Sequence, residues 1–250
     1  MLLRGVFFMK LIADTHCHTI SSGHAFSSIL ENIHVAKEAG LMAVAVTDHS
    51  PSTPGGPHVW YFNNLKVIPR QVDGIYVLRG IEANVKNPNA DLDIPSDIKA
   101  TFDWVVASIH DVSFDGPHDI DACTQTWLNI CKNPIVNVIG HSGLENYKYD
   151  YDKVIPEFGK KGKLVEINNA SFICRKGNIS NCVEIAKTCK KHGVSVIVNS
   201  DAHFCKQVGH CDLALQLLKE IDFPEELIIN ADADRFKTYL QKYTPFFNIN

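Results

Sequence analysis

Short apolar runs alternate with amphipathic stretches along the whole chain, and the alternation predicts strands followed by helices. The runs are KLIADTH (10–16), MAVAVTDH (42–49), GIYVLRGIEANV (74–85), FDWVVASIH (102–110), IVNVIGH (135–141), KLVEINN (163–169) and VSVIVNSDAH (194–203). Each has the length and β-rich composition of a buried strand. Between them, SSILENIHVAKEAG opens with Ser28 and Glu31 at the spacing of a capping box and closes at Gly40. IDACTQTWLNICK, YDKVIPEFGKKG, NCVEIAKTCKKHG and QVGHCDLALQLLKEI carry further helices. No Gly/Ser-rich linker, charge block or internal repeat interrupts the pattern. Strand then helix, repeated about seven times, predicts an α/β fold: a parallel barrel or an open doubly wound sheet.

The ends of the runs carry the chemistry. Six of the seven finish at or just before a histidine or an acid: His16, Asp48-His49, Glu82, His110, His141 and Asp201-x-His203. KLVEINN is the exception, ending in Asn168 and Asn169 after Glu166. In barrels and open sheets alike, ligands gather at the carboxyl ends of parallel strands. In a regular strand Asp14, His16 and His18 share one face, because side chains repeat every second residue. Core packing gives no reason to put histidine at the same end of so many strands. Nine residues are therefore candidate metal ligands: His16, His18, His24, His49, Glu82, His110, His141, Asp201 and His203. His34, His118, His192 and His210 fall outside the pattern and read as structural or solvated. His58, in GGPHVW, is the best of the others for substrate binding or a supporting role.

Imidazole with carboxylate suits Zn, Mn or Fe. Nine donors exceed what one ion takes, whereas two or three ions sharing a bridging carboxylate would use them all. Clustered ions clamp an oxyanion and lower the pKa of a bound water, which phosphate-ester hydrolysis needs. HFCKQVGHC offers a rival zinc site from His203, Cys205, His210 and Cys211, but it lacks any established zinc-finger spacing.

Composition narrows the partners. At 45% hydrophobic and 21% charged residues, the 250-residue chain can bury a large core, which excludes disorder. A formal net charge of -4 shows no basic surplus and disfavours nucleic acid. Eight cysteines without a C-x-x-C motif or a dense framework predict reduced thiols in a cytoplasmic protein. MLLRGVFFMK is too short for a membrane span and lacks a signal-peptide pattern. Residues 1–8 read as an N-terminal extension and 9–250 as a single domain.

The motifs DTHCHT, TDH, the glutamate of RGIEAN, SIH, IGH and SDAH resemble, in order, the metal motifs of the PHP-domain superfamily (polymerase and histidinol phosphatase). SSGHAFSSILEN, GPHVWYFNN, RGIEANVKN, EINNASF and DFPEELIIN resemble more narrowly its stand-alone YcdX-type phosphatases. The resemblance runs from about Met9 to near the C-terminus. It implies a distorted (β/α)7 TIM-like barrel with a three-metal site at the C-terminal strand ends. It implies hydrolysis of small phosphomonoesters by a metal-activated hydroxide, without a covalent enzyme intermediate. By motif, His16, His18, Glu82 and Asp201 would hold the first divalent ion. Glu82, His110 and His141 would hold the second, and His24, His49 and His203 the third. Zn is favoured, with Mn or Fe as alternatives.

Asp48 is the candidate to orient a ligand or handle a proton, beside the bridging Glu82. Arg175 and Lys176 of CRKGN are candidates for binding phosphate oxygens, and Arg79 is a similar one. Asp14 is left without a ligand role and is expected to orient an imidazole. The competing readings are a histidinol-phosphate phosphatase, a PHP-type nuclease, or a catalytically silent metal-binding module. The expected partner is a small phosphorylated substrate, with no membrane association. The resemblance also implies a homo-oligomer, with a trimer in keeping with it.

Overall fold

The computed structural model describes residues 9–94 and 102–244. The strands are β1 (Ala13–Cys17), β2 (Ala43–Val46), β3 (Gln71–Val72), β4 (Ile75–Asn84), β5 (Trp104–Ser108), β6 (Val138–Ile139), β7 (Leu164–Asn168) and β8 (Val196–Asn199). Seven of them pair in parallel in the order β1-β2-β4-β5-β6-β7-β8, while β3 forms a hairpin with the start of β4. A parallel bridge from Cys17 to Ala202 brings the first strand back to the last. The result is a nearly closed, seven-stranded TIM-like barrel, which decides between the two architectures that the alternation allowed. The expected extension, residues 1–8, lies outside the described residues.

The barrel is distorted at one seam, and polar side chains explain how it holds. Between β1 and β8, side-chain amides stand in for a regular ladder. Asn199 Oδ1 accepts from the main-chain N–H and the hydroxyl of Thr15, at 2.9 and 2.8 Å. Asn230 Nδ2 donates to the carbonyls of Ala13 and Val198, and its Oδ1 accepts from Val198 N–H. These bonds satisfy backbone groups that would otherwise be buried unpaired.

The helices are α1 (Ile29–Glu38), α2 (Val59–Asn64), α3 (Ile120–Cys131), α4 (Tyr151–Lys160), α5 (Ser171–Cys174), α6 (Ile179–His192), α7 (Asp212–Glu220) and α8 (Ala233–Tyr243). Five of them occupy the stretches that the amphipathic pattern marks. The Ser28–Glu31 capping box of α1 forms in both directions, and Gly40 follows the helix at φ +72°. Among the described residues no helix is long and apolar enough to cross a membrane.

The barrel interior divides along its axis. Ala13, Ala43, Ala45, Leu78, Trp104, Val138, Leu164 and Ile197 fill the end where the strands begin. Phe236, Tyr239 and Leu240 of α8 plug that end, with Trp104 edge-on to Phe236. The opposite end, where the strands finish, is lined by buried polar groups.

Candidate metal centre

The C-terminal ends of six strands deliver the nine candidate ligands to one place. Glu82, at the end of β4 and fully buried, is the centre. Its carboxylate lies 3.5 Å from His16, 3.6 Å from His18, 2.6 Å from His49, 3.4 Å from His110 and 2.8 Å from His141. Asp201 Oδ1 stands 3.1 Å from His18 Nε2 and 3.6 Å from His16 Nε2. At the outer edge His24 Nε2 and His203 Nε2 are 3.2 Å apart, with the His49 ring 4.9 Å from that of His24. Three overlapping triads have ligand atoms within 4.8 Å of one another: His16–His18–Glu82, His49–Glu82–His110 and His18–His49–His203. His49 thus leans on Glu82 as well as on the outer histidines.

Four of the seven rings are held from behind. His16 Nδ1 is 2.7 Å from Glu166 Oε1, an acceptor, so this nitrogen carries a proton and Nε2 faces the cluster. His110 Nδ1 is 2.6 Å from Asn84 Oδ1. Asn84 must present its oxygen there, because its Nδ2 donates to Asp93 Oδ2. His203 Nδ1 donates to the Asp201 carbonyl at 3.0 Å. His18 Nδ1 lies 3.3 Å from Ser22 Oγ, whose own proton goes to Asp48 Oδ1 at 2.6 Å. In all four rings Nδ1 is engaged outside the cluster and Nε2 faces it.

That arrangement fits a cation. Buried His16 Nε2 and His110 Nε2 make no hydrogen bond at all. Burial, reinforced by the positive field of His49, holds His18 well below the usual imidazole range. Burial alone would raise Glu82, but His49, His110 and His16 outweigh it and keep the carboxyl well below its usual range. Burial would raise Asp201 too, and His16 and His18 overturn that. Ionised carboxylates gathered in a dry site need positive charge beside them. Burial would lower His16, but Glu166, Asp201 and Glu82 hold it well above the usual imidazole range, so the rings supply that charge here and bound cations would supply it in their place. The donor set, imidazole with carboxylate and no thiolate, matches Zn, Mn or Fe. Among the described residues no cysteine joins a candidate group, so the rival His/Cys site does not assemble.

Backbone geometry helps to aim the ligands. Asp201 has φ +58° and His141 φ +22°, a left-handed region unfavourable for such residues, at roughly 1–3 kcal/mol each. Gly140 precedes His141 because a Cβ there would collide with Ser108 and Val106.

Asp14 does not orient an imidazole. The β1–β2 register shifts between Asp14 and Cys17, so the strand loses strict alternation. Ala13 packs inside the barrel while Cys17 packs beneath α1 with Ile33 and Ala36. Asp14 instead accepts from Ser200 Oγ at 2.5 Å and Gly209 N–H at 2.8 Å, tying the β8 loop down. Glu166 has the role that parity assigned to Asp14. Besides His16, it accepts from the His141 main-chain N–H at 2.8 Å and Asn199 Nδ2 at 2.9 Å. KLVEINN carried that signal, since Glu166 and Asn168 share one strand face; the last residues of the run were read in its place.

Asp48 is buried and touches no ligand ring. Its two oxygens take Thr19 N–H, Thr19 Oγ, Ser22 Oγ and the Tyr61 hydroxyl, so it anchors the loop that supports His18. Ser22, Tyr61 and Asn84 lie within SSGHAFSSILEN, GPHVWYFNN and RGIEAN, but nothing in those segments gave them a role. Arg175 lies at the mouth, Nη1 3.6 Å from Asp201 Oδ2. Lys176 has a side chain outside the described set. Arg79 points elsewhere, donating to the Ile68 carbonyl. His58 is exposed and caps α2, its Nδ1 accepting from Trp60 N–H at 3.2 Å. His34, His118 and His192 pair with Glu38, Tyr147 and Asp152, and His210 is exposed, in line with structural or solvated roles.

The cluster opens into a cavity of about 290 Å³ lined by His24, His49, Thr53, Pro54, His110, Val112, Arg175 and His203.

Comparison with known proteins shows the family. A protein described as a probable phosphatase from Caldanaerobacter subterraneus subsp. tengcongensis is 44% identical over 241 residues, covering 96% of this chain and 95% of that protein. Another from Clostridium acetobutylicum is 41% identical over 243 residues, covering 97% and 99%. Among solved structures, a histidinol phosphate phosphatase from Lactococcus lactis subsp. lactis, complexed with zinc, L-histidinol and phosphate, has a TM-score of 0.58 at 18% identity. It covers 85% of this chain and 94% of its own. A chain of archaeal ribonuclease P bound to mature tRNA reaches the same TM-score at 12% identity, covering 93% and 90%. At those identities the solved structures bear on the fold alone. The PHP domain model matches residues 14–170, more than half of the sequence. The chain belongs to the PHP domain family.

Proposed function

We propose that this chain is a metal-dependent phosphatase that hydrolyses small phosphomonoesters at a three-ion centre. Three imidazoles, His16, His18 and His110, that tie Nδ1 outward and turn Nε2 toward Glu82 or Asp201 carry the reading, with His203 turning its Nε2 toward His24. Relatives above 40% identity described as probable phosphatases support the reaction class. His16, His18, Glu82 and Asp201 hold one ion; Glu82, His110 and His141 a second; His24, His49 and His203 a third. Zn is the favoured metal, ahead of Mn and Fe. Such ions supply positive charge for phosphoryl oxygens and bring a water's pKa toward neutrality.

The chain's own groups do the rest. Glu82, whose carboxylate lies within 3.6 Å of five of the rings, would be shared between ions. Arg175 reaches the cavity and binds non-transferred phosphate oxygens with its planar fork. Its guanidinium stands 3.6 Å from Asp201 Oδ2. Asp48 positions His18 through Ser22 and handles no substrate proton. Residues 9–250 act as one domain, and eight unpaired cysteines support a reducing, cytoplasmic setting.

The test is phosphate release from 4-nitrophenyl phosphate and a panel that includes histidinol phosphate, sugar phosphates and a single-stranded oligonucleotide. Monoester turnover should vanish on chelation and return with Zn or Mn. A fully metal-loaded preparation that releases phosphate from none of them would overturn the reading.

A further inference from the structure

The catalytic end of the barrel is apolar on its outside. Among the described residues, eleven large apolar side chains are exposed. All but Val67 lie in loops that follow a parallel strand or in the first turn of the next helix, hence at the end that carries the metal centre. Five of them sit within two residues of a proposed site residue, on four different loops; Ile20 (62%) follows His18 on the loop that also carries Phe26. Phe26 (74% exposed) follows His24, Val112 (65%) follows His110, Ile173 (53%) precedes Arg175, and Phe204 (48%) follows His203. Phe26 N–H donates to the His203 carbonyl at 2.8 Å, which fixes the first and last of these loops to each other. Val112 and Pro54 line the cavity itself.

Scattered exposed apolar residues are ordinary, but a collar confined to one end and surrounding a site is not. The cavity's charge is equally one-sided. Among the described side chains that line it, Arg175 is the sole lysine or arginine, and none is an acid. One guanidinium matches one phosphate group. Apart from the metal centre, whose charge the transferred phosphoryl group takes up, nothing in that lining compensates a second anionic group, whose desolvation would then oppose binding.

We propose that the substrate is a phosphomonoester whose leaving group is uncharged and apolar, an alkyl or aryl alcohol that packs on Val112, Phe26 and Phe204. This rests on the phosphatase reading and narrows it. The collar surrounds the opening to the ligand nitrogens, so a permanent cover would block the route to them. A transient apolar ligand satisfies both the collar and the opening.

Phosphonates test this without turnover, since they keep the phosphate-like head and cannot lose the alkyl group. Calorimetric titration of the Zn- or Mn-loaded protein should show n-hexylphosphonate binding at least tenfold more tightly than methylphosphonate. Val112→Asn should bring that ratio toward one, as should Phe204→Ala. Equal affinities in the wild-type protein would overturn the inference and leave the phosphatase reading, judged by phosphate release, untouched. Failure of both phosphonates to bind would remove the phosphate site and both proposals with it. Light scattering supplies a further check: substitution at Val112 or Phe204 should leave the molecular mass unchanged. A shift to smaller species would make the collar a subunit contact and overturn the inference.

Discussion

The same seven strands build two ends of opposite character. Where they begin, the interior is apolar, with Trp104 and Leu78 packed beneath the α8 plug of Phe236, Tyr239 and Leu240. Where they finish, a few residues further along, the interior holds His16, His18, Glu82, Glu166 and Asp201, all buried. The apolar end gains free energy by leaving water. The polar end costs free energy unless its groups are paired, and several of its ring nitrogens make no hydrogen bond. One end therefore stabilises the barrel while the other, without cations, works against it.

The comparison can be broken most sharply at the polar end. Glu82→Gln should lower kcat/KM for 4-nitrophenyl phosphate by more than about a thousandfold, beyond the 10- to 100-fold typical of residues behind a ligand. Far-UV circular dichroism should stay unchanged. Loss of the folded spectrum would mean that the polar end also holds the barrel together.

At the apolar end the effects reverse. Trp104→Ala removes a fully buried indole from the plug and should cost about 3–5 kcal/mol in urea unfolding. Activity at temperatures where the variant stays folded should fall only slightly.

Ser22→Ala probes the support behind the ligands. Without its hydroxyl, nothing fixes the proton on His18 Nδ1, and metal affinity measured against a chromophoric chelator should drop about 10- to 100-fold. Ser22→Thr, which keeps the hydroxyl, should restore most of it.

The smallest effect is global. Burial pushes the Cys123 and Cys182 thiols from 9.0 up to about 11. Their folded-state values are raised, so this contribution to stability is complete below pH 9 and declines as pH climbs toward 11. Urea midpoints should fall over that window, and a double Cys→Ala variant should show a shallower decline.

How far this division could be read in advance depends on whether a signal is local. Strand ends carry their residue type in the sequence, so nine ligand candidates and five helices were legible from pattern alone. The β1 bulge was not, because one extra residue leaves no trace in hydrophobic alternation; it dissociates Asp14 from His16 and His18. Glu166 and Asn84 hold rings distant in sequence, so only the closed barrel shows what they do; Ser22 is near His18 in sequence, but both lie on an irregular stretch where no period predicts the contact. The helix α8 was legible but unread. Asp232 caps it, and Phe236, Tyr239, Leu240 and Tyr243 repeat at helical spacing. The family resemblance supplied the ion count, which neither spacing nor burial could.

The central claim is that the buried imidazoles and carboxylates exist to hold ions. Elemental analysis of the purified protein, paired with His16→Ala, tests it most directly. The account predicts close to three divalent ions per chain, with a clear loss in the variant while the barrel stays folded. Fewer than one ion per chain in a folded, unsubstituted protein supplied with Zn and Mn would contradict it.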